Sequence, residues 1–180
     1  MLSPKSAWTL LEMLVVLAVI AVLSALTFPA EQAWKQKSVQ RSSLSLLLRS
    51  CEEARSRAIT QRLTTWLILQ HPTSGKDSFV LLQETENGDT SLITAWKELP
   101  KDVRFIFLPP TSTSLPTTFL EKLPQNLRVR SNQLSGIAWN SEGSIVEPSK
   151  VSTLSLLTTS NKKIGQILFL RNSGRALLAK

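Results

Sequence analysis

The chain has 180 residues, 42% hydrophobic and 19% charged, a balance that excludes both a disordered tail and a polytopic membrane protein. One cysteine, Cys51, and one histidine, His71, exclude an intramolecular disulfide framework, a Cys-rich zinc site and a paired-imidazole metal site. A formal charge of +8 with a pI near 10.1 permits an acidic partner without naming one.

Hydrophobicity is concentrated at the N-terminus. From Trp8 to Phe28 the only charge is Glu12, and Met13–Leu23 is unbroken apolar sequence. As a helix this stretch spans roughly 31 Å, close to the roughly 30 Å hydrocarbon layer of a bilayer. It predicts one membrane-spanning helix or one cleaved signal, with no second span later. Lys5 supplies a positive n-region for a secretory signal. Leu23-Ser24-Ala25 and Phe28-Pro29-Ala30 are poor cleavage sites, however, and Glu12 is out of place in such a segment. A charge at the centre of a spanning helix costs on the order of 2.5–3.5 kcal/mol, so those that persist usually have a role. Orientation is not settled by charge, because Lys35, Lys37 and Arg41 outnumber Lys5 and lean against export of the C-terminal domain.

Pro29 has no amide hydrogen for the carbonyl of Ala25, which predicts a kink or an end to the helix. The pattern beyond it argues for continuation. Leu44, Leu47, Leu48, Cys51, Ala54, Ala58 and Ile59 recur at steps of three and four, with Arg49, Glu52, Glu53 and Arg57 mostly off that stripe. The helix is predicted to run to about Arg62, with Cys51 in the core rather than acting as a nucleophile.

From Thr64 the period changes. Thr64–Gln70, Ser78–Glu84, Leu92–Lys97, Val103–Leu108, Gly136–Asn140, Val151–Thr158, Ile164–Arg171 and Arg175–Lys180 read as strands, separated by turn sequences such as Glu86-Asn87-Gly88-Asp89. The last two form the best hairpin, across Asn172-Ser173-Gly174. Residues 109–126, with four prolines and many Ser and Thr, read as a long surface loop. The expected fold class is α+β, an antiparallel β-domain packed on the amphipathic half of a long helix.

The segment Ser6-Ala7-Trp8-Thr9-Leu10-Leu11-Glu12-Met13-Leu14-Val15-Val16 resembles the processing site of type IV prepilins and type II secretion pseudopilins. The resemblance implies a leader at 1–7, cleavage between Ala7 and Trp8, and N-methylation of Trp8 by prepilin peptidase. It places Glu12 at the fifth mature position, where a carboxylate pairs with a terminal amine during assembly, and Pro29 where many pilins loosen the helix. Ala7 stands where the family usually has glycine and Trp8 where it usually has phenylalanine. Residues 8–28 would be the transmembrane and assembly helix, 29–62 its amphipathic half and 63–180 the globular domain, together a pilin-like fold.

Further along, Leu48, Ala54-Arg55-Ser56 and Ala58-Ile59, the turn Trp139-Asn140-Ser141-Glu142-Gly143-Ser144, and Ile164 to Gly174-Arg175 are similar to the H-type minor pseudopilins (the GspH/FimT family). This implies a non-enzymatic subunit of a type II secretion pseudopilus or type IV pilus-like filament. The implied partners are other pilin or pseudopilin subunits, prepilin peptidase, an inner-membrane assembly platform and the bilayer. The implied location is the bacterial inner membrane, with the leader cytoplasmic and the domain outside. No catalytic, metal or cofactor motif is present. The alternative is a DNA-binding minor pilin for natural transformation. It draws on a stretch, 148–180, that holds Lys150, Lys162, Lys163, Arg171, Arg175 and Lys180 and no acid. Lys162, Lys163, Arg171 and Arg175 are its candidate phosphate contacts, although Gly174-Arg175-Ala176-Leu177 matches only half of the Gly-Arg-x-Arg motif of some such pilins.

Overall fold

Periodicity places the end of the long helix near Arg62, and the backbone ends it there. In the computed structural model α1 runs Pro4–Gln61, and Arg62 turns into the left-handed region at φ 56°, a frequent way for a helix to stop. The structure describes residues 4–72, 75–108, 119, 123, 134–146, 153–170 and 172–179, with the backbone alone at 4–9, 26–30, 32, 33, 107 and 108. The chain forms two compact units, Met1–Val39 and Gln40–Lys180. Among the described residues the first is helix alone.

Among the described residues of the second unit nine strands follow α1: β1 Thr65–Gln70, β2 Ser78–Glu84, β3 Thr90–Leu92, β4 Lys97–Glu98, β5 Val103–Leu108, β6 Leu134–Trp139, β7 Thr153–Thr158, β8 Lys163–Leu170 and β9 Arg175–Ala179. They make two antiparallel sheets. The first has the order β3-β2-β1-β6, with β4 also on β2, and the second has the order β5-β7-β8-β9. The fold class is α+β, as expected.

The principal core lies where the helix meets both sheets. Leu44, Leu47, Cys51, Ala54 and Ala58 from α1 pack with Leu67, Leu69, Phe79, Leu81, Ile137 and Trp139 of the first sheet. Phe105, Leu154, Leu156, Ile167, Phe169 and Ala176 of the second sheet complete it. Among the described side chains of α1, the apolar run up to Ala25 is exposed and the first buried position is Ser43. Glu31, Lys35, Lys37 and Arg41 occupy the intervening turns, and Glu31 pairs with Lys35 in solvent at 2.6 Å.

A second cluster covers the far face of the first sheet. Trp66, Ile68, Val80, Leu82, Leu134 and Ala138 meet Phe119 and Leu123 there, with Phe119 stacked on Trp66 at 3.9 Å between ring centroids. This corrects the reading of 109–126 as surface loop at two positions, since Phe119 and Leu123 are 4% and 1% exposed. The rest of that segment lies outside the described residues. The prolines hid two anchors whose apolar area is worth roughly 1.5–3 kcal/mol each when buried. With both faces covered, β1 is buried at all six positions, which is why its centre, Trp66-Leu67-Ile68-Leu69, is continuously apolar rather than alternating.

The predicted strand Leu92–Lys97 is divided between β3 and β4, which meet β2 at separate places. Thr94 breaks the ladder, its hydroxyl accepting the Leu81 N–H at 3.2 Å in place of a strand carbonyl.

Asp77, 2% exposed, ties the sheets together at one corner. Its Oδ2 accepts the backbone N–H of Phe105 in β5 at 2.9 Å, its Oδ1 meets His71 Nδ1 at 2.7 Å, and its carbonyl accepts Leu99 N–H at 2.7 Å. Because the carboxylate serves a buried donor, Asp77→Ala is expected to lower the unfolding free energy by about 1–3 kcal/mol. Urea denaturation of the full chain measures it, and an unchanged midpoint would remove Asp77 as a link between the sheets.

Candidate functional site

Two places carry the residues singled out by sequence: the first unit of the helix, and a junction at one end of the β-domain. In the first, every large apolar side chain from Leu10 to Leu23 is exposed, from 48% at Val16 to 68% at Met13. Glu12 stands exposed among them. Ala7 and Trp8 lie in helical backbone, and Glu12 follows Trp8 by four residues, so the two occupy one helical face. The side chains of Ala7, Trp8 and Pro29 lie outside the described residues. The helix continues through Pro29, which therefore does not terminate it. Among the described residues no helix is long and apolar enough to cross a membrane. The part of the apolar run whose side chains are described, Leu10–Ala25, is about 24 Å of helix.

At the junction, three fragments meet that are distant in sequence: α1, the Asn140–Ser144 turn and the β8–β9 turn. The Asn140–Ser144 turn is closed from within, with Asn140 Oδ1 accepting the backbone N–H groups of Glu142 at 3.1 Å and Ser144 at 2.9 Å. Its Gly143, at φ +77°, lies against α1, where a Cβ would stand 2.6 Å from Ile59 Cδ1. The β8–β9 turn docks on the same place. Trp139 Nε1 donates to the Gly174 carbonyl at 2.8 Å, Ser144 Oγ to the Asn172 carbonyl at 2.9 Å, and Arg55 Nε to the Ser173 carbonyl at 2.7 Å. Glu52 Oε1 accepts the Ala176 N–H at 3.3 Å. Gly174 has φ +61°, and a Cβ there would overlap the Gly143 carbonyl oxygen. Arg55, Trp139, Gly143, Ser144 and Gly174, chosen from sequence as separate motifs, form one structural clasp.

The candidate phosphate contacts are not gathered in the same way. Lys162 and Lys163 are exposed at the start of β8, whereas Arg175 is exposed beside Leu170 at its other end, roughly 23 Å away along the strand. Arg171 lies outside the described residues. Lys162 and Lys163 are neighbours, but Arg175 belongs to the opposite end of the hairpin.

Cys51 is fully buried on the helix stripe, and burial, with the adjacent Glu52 charge adding to it, pushes its thiol far above the ordinary range. It stays protonated and inert. Among the described residues no three His, Cys, Asp or Glu side chains cluster to hold a metal. Sequence reasoning missed Glu52 as an acceptor for a β9 N–H. Its only signal was a carboxylate one position off the apolar stripe.

No protein-family model matches the chain, and no curated protein does. Among solved structures it is similar to the minor pseudopilin EpsH from the type 2 secretion system of Vibrio cholerae, at 14% identity and a TM-score of 0.48, over 77% of this chain and 94% of that one.

The clasp makes glycine the only tolerable residue at position 174. Gly174→Ala adds a left-handed Cβ penalty to an overlap with fixed backbone, and is expected to cost on the order of 2–5 kcal/mol. Ser173→Ala, which leaves the backbone acceptor of Arg55 in place, should cost far less. Thermal melts of the two variants side by side check this, and equal melting temperatures would mean the turn is not fixed against Gly143.

Proposed function

We propose that the chain is a minor pseudopilin, a non-enzymatic structural subunit of a type II secretion pseudopilus or a type IV pilus-like filament. The observation that carries this reading is a helix whose apolar side chains are exposed around one carboxylate, ahead of a globular domain whose described core draws on nothing before Leu44. A domain with its own core has no folding need for that apolar stretch. Its length in sequence, Trp8–Phe28, suits a bilayer, and the spacing Ala7, Trp8, Glu12 suits a peptidase substrate.

In this role prepilin peptidase removes residues 1–7 on the cytoplasmic face and methylates the new amine of Trp8. The subunit waits in the inner membrane with its domain outside, until an assembly platform adds it to neighbouring subunits. Glu12 then sets axial register. At about 4 Å an amine and a carboxylate attract by roughly 4 kcal/mol at an effective dielectric near 20, and a neighbour's Trp8 amine would offset the desolvation of the carboxylate.

Co-expression with a prepilin peptidase should therefore yield a chain beginning at N-methylated Trp8. N-terminal mass spectrometry that found Met1 retained, or a cut near Ala25 or Ala30, would contradict the assignment. Glu12→Ala should leave membrane-fraction abundance unchanged or raised, because a charge leaves an apolar segment. It should lower co-purification with filament partners, since a buried pair losing one member costs on the order of 3–5 kcal/mol. Normal incorporation at normal abundance would show that Glu12 has no part in assembly.

A further inference from the structure

The two sheets differ in what becomes of their outer faces. Phe119 and Leu123 seal the first. The second leaves aliphatic side chains in solvent: Ile106 is 41% exposed, Leu168 38%, Leu170 40% and Leu177 46%. Strand register places them together. Ile106 lies across from Ser155, Ser155 from Gln166, and Leu168 lies across from Leu177 on the neighbouring strand, and residues opposite one another share a face. The one polar pair amid them satisfies itself, with Gln166 Nε2 donating to Ser155 Oγ at 3.0 Å.

Charge on this face is of one sign. The strands β5, β7, β8 and β9 contain Arg104, Lys163 and Arg175 and no acidic residue. All three cations are exposed, and among the described residues none is paired with a carboxylate. Arg104 and Lys163 flank Leu157 at one end of the face, and Arg175 stands beside Leu170 at the other. Aliphatic side chains set around Thr153 and the self-satisfied Ser155–Gln166 pair, with charges at the margin, is the layout of a protein–protein interface. An unstructured nucleic acid strand would need aromatic platforms for its bases, and these four strands expose none among the described side chains.

We infer that the outer face of the β5-β7-β8-β9 sheet is the docking surface for a neighbouring filament subunit that presents apolar side chains bordered by carboxylates. Ile106, Leu168 and Leu177 supply the buried centre, and Arg104, Lys163 and Arg175 select the acidic partner and fix its orientation. The inference rests on the reading of the chain as a filament subunit. It adds to it which face is used and the chemistry of what it meets.

The test uses the full chain, co-expressed with the other subunits of its filament, carrying a photo-cross-linking amino acid at Ile106, Leu168 or Leu177, with Glu86 as an exposed control position. The three face positions should cross-link to one acidic subunit and Glu86 should not. The double variant R104E/K163E, with an unchanged melting temperature, should lose that product by more than about tenfold, because like charges across an interface cost several kcal/mol. If the chain co-purifies with its filament subunits but the face gives no product, or the product survives charge reversal, the surface is wrong and the filament role stands. Cross-links only to a second copy of this chain, to lipid or to nucleic acid overturn the inference equally. Failure to associate with any filament subunit overturns the functional reading beneath it.

Discussion

The β-domain depends on one narrow stripe of helix. Between Leu44 and Ala58 the inward residues step down in size, from Leu44 and Leu47 through Cys51 to Ala54 and Ala58. Large side chains at one end fill the space between the sheets. Alanine at the other lets the backbone of the helix approach the sheets closely, which brings Glu52, Arg55 and Ile59 within reach of the two turns. A bulky residue at Ala54 or Ala58, both fully buried, would lift that end of the helix away and separate the clasp before it reached the rest of the core.

Two kinds of contact hold the sheets to each other. One is apolar and central, and includes the edge-on approach of Trp139 to Phe169 at 6.3 Å. The other is polar and peripheral, with Asp77 at one place and the clasped turns at another. Apolar burial is non-directional and supplies most of the stability. The peripheral hydrogen bonds have fixed partners and angles, so they specify one mutual arrangement of two sheets that could otherwise slide.

Sequence carries the elements well and their meetings poorly. The helix end, β2, β5 and the last hairpin follow from local patterns, with periodicity for α1 and a glycine-bearing turn between apolar runs for β8 and β9. β3 and β4 read as one strand because Thr94's role depends on Leu81, thirteen residues earlier. Phe119 and Leu123 read as solvent-facing because proline density is a local signal and burial is not. At the candidate positions the same rule applies. The spacing of Ala7, Trp8 and Glu12 is wholly local and legible. The convergence of Arg55, Gly143 and Gly174 is invisible until the fold brings them together, and sequence proximity likewise hides that Lys163 and Arg175 stand at opposite ends of the β8–β9 hairpin.

The clasp also orders events in time. Arg55 and Ser173 are 118 residues apart in sequence, and Glu52 and Ala176 are 124 apart. Contacts of that separation form late and slow folding, because the intervening chain must lose its freedom first. Until the final hairpin arrives, the Trp139 indole lacks its acceptor and α1 lacks the partners of Glu52 and Arg55. A domain that leaves the ribosome residue by residue thus cannot close this clasp while its last hairpin is still being made. Its helix and first sheet emerge early, and the native state forms only after the last strand has been released.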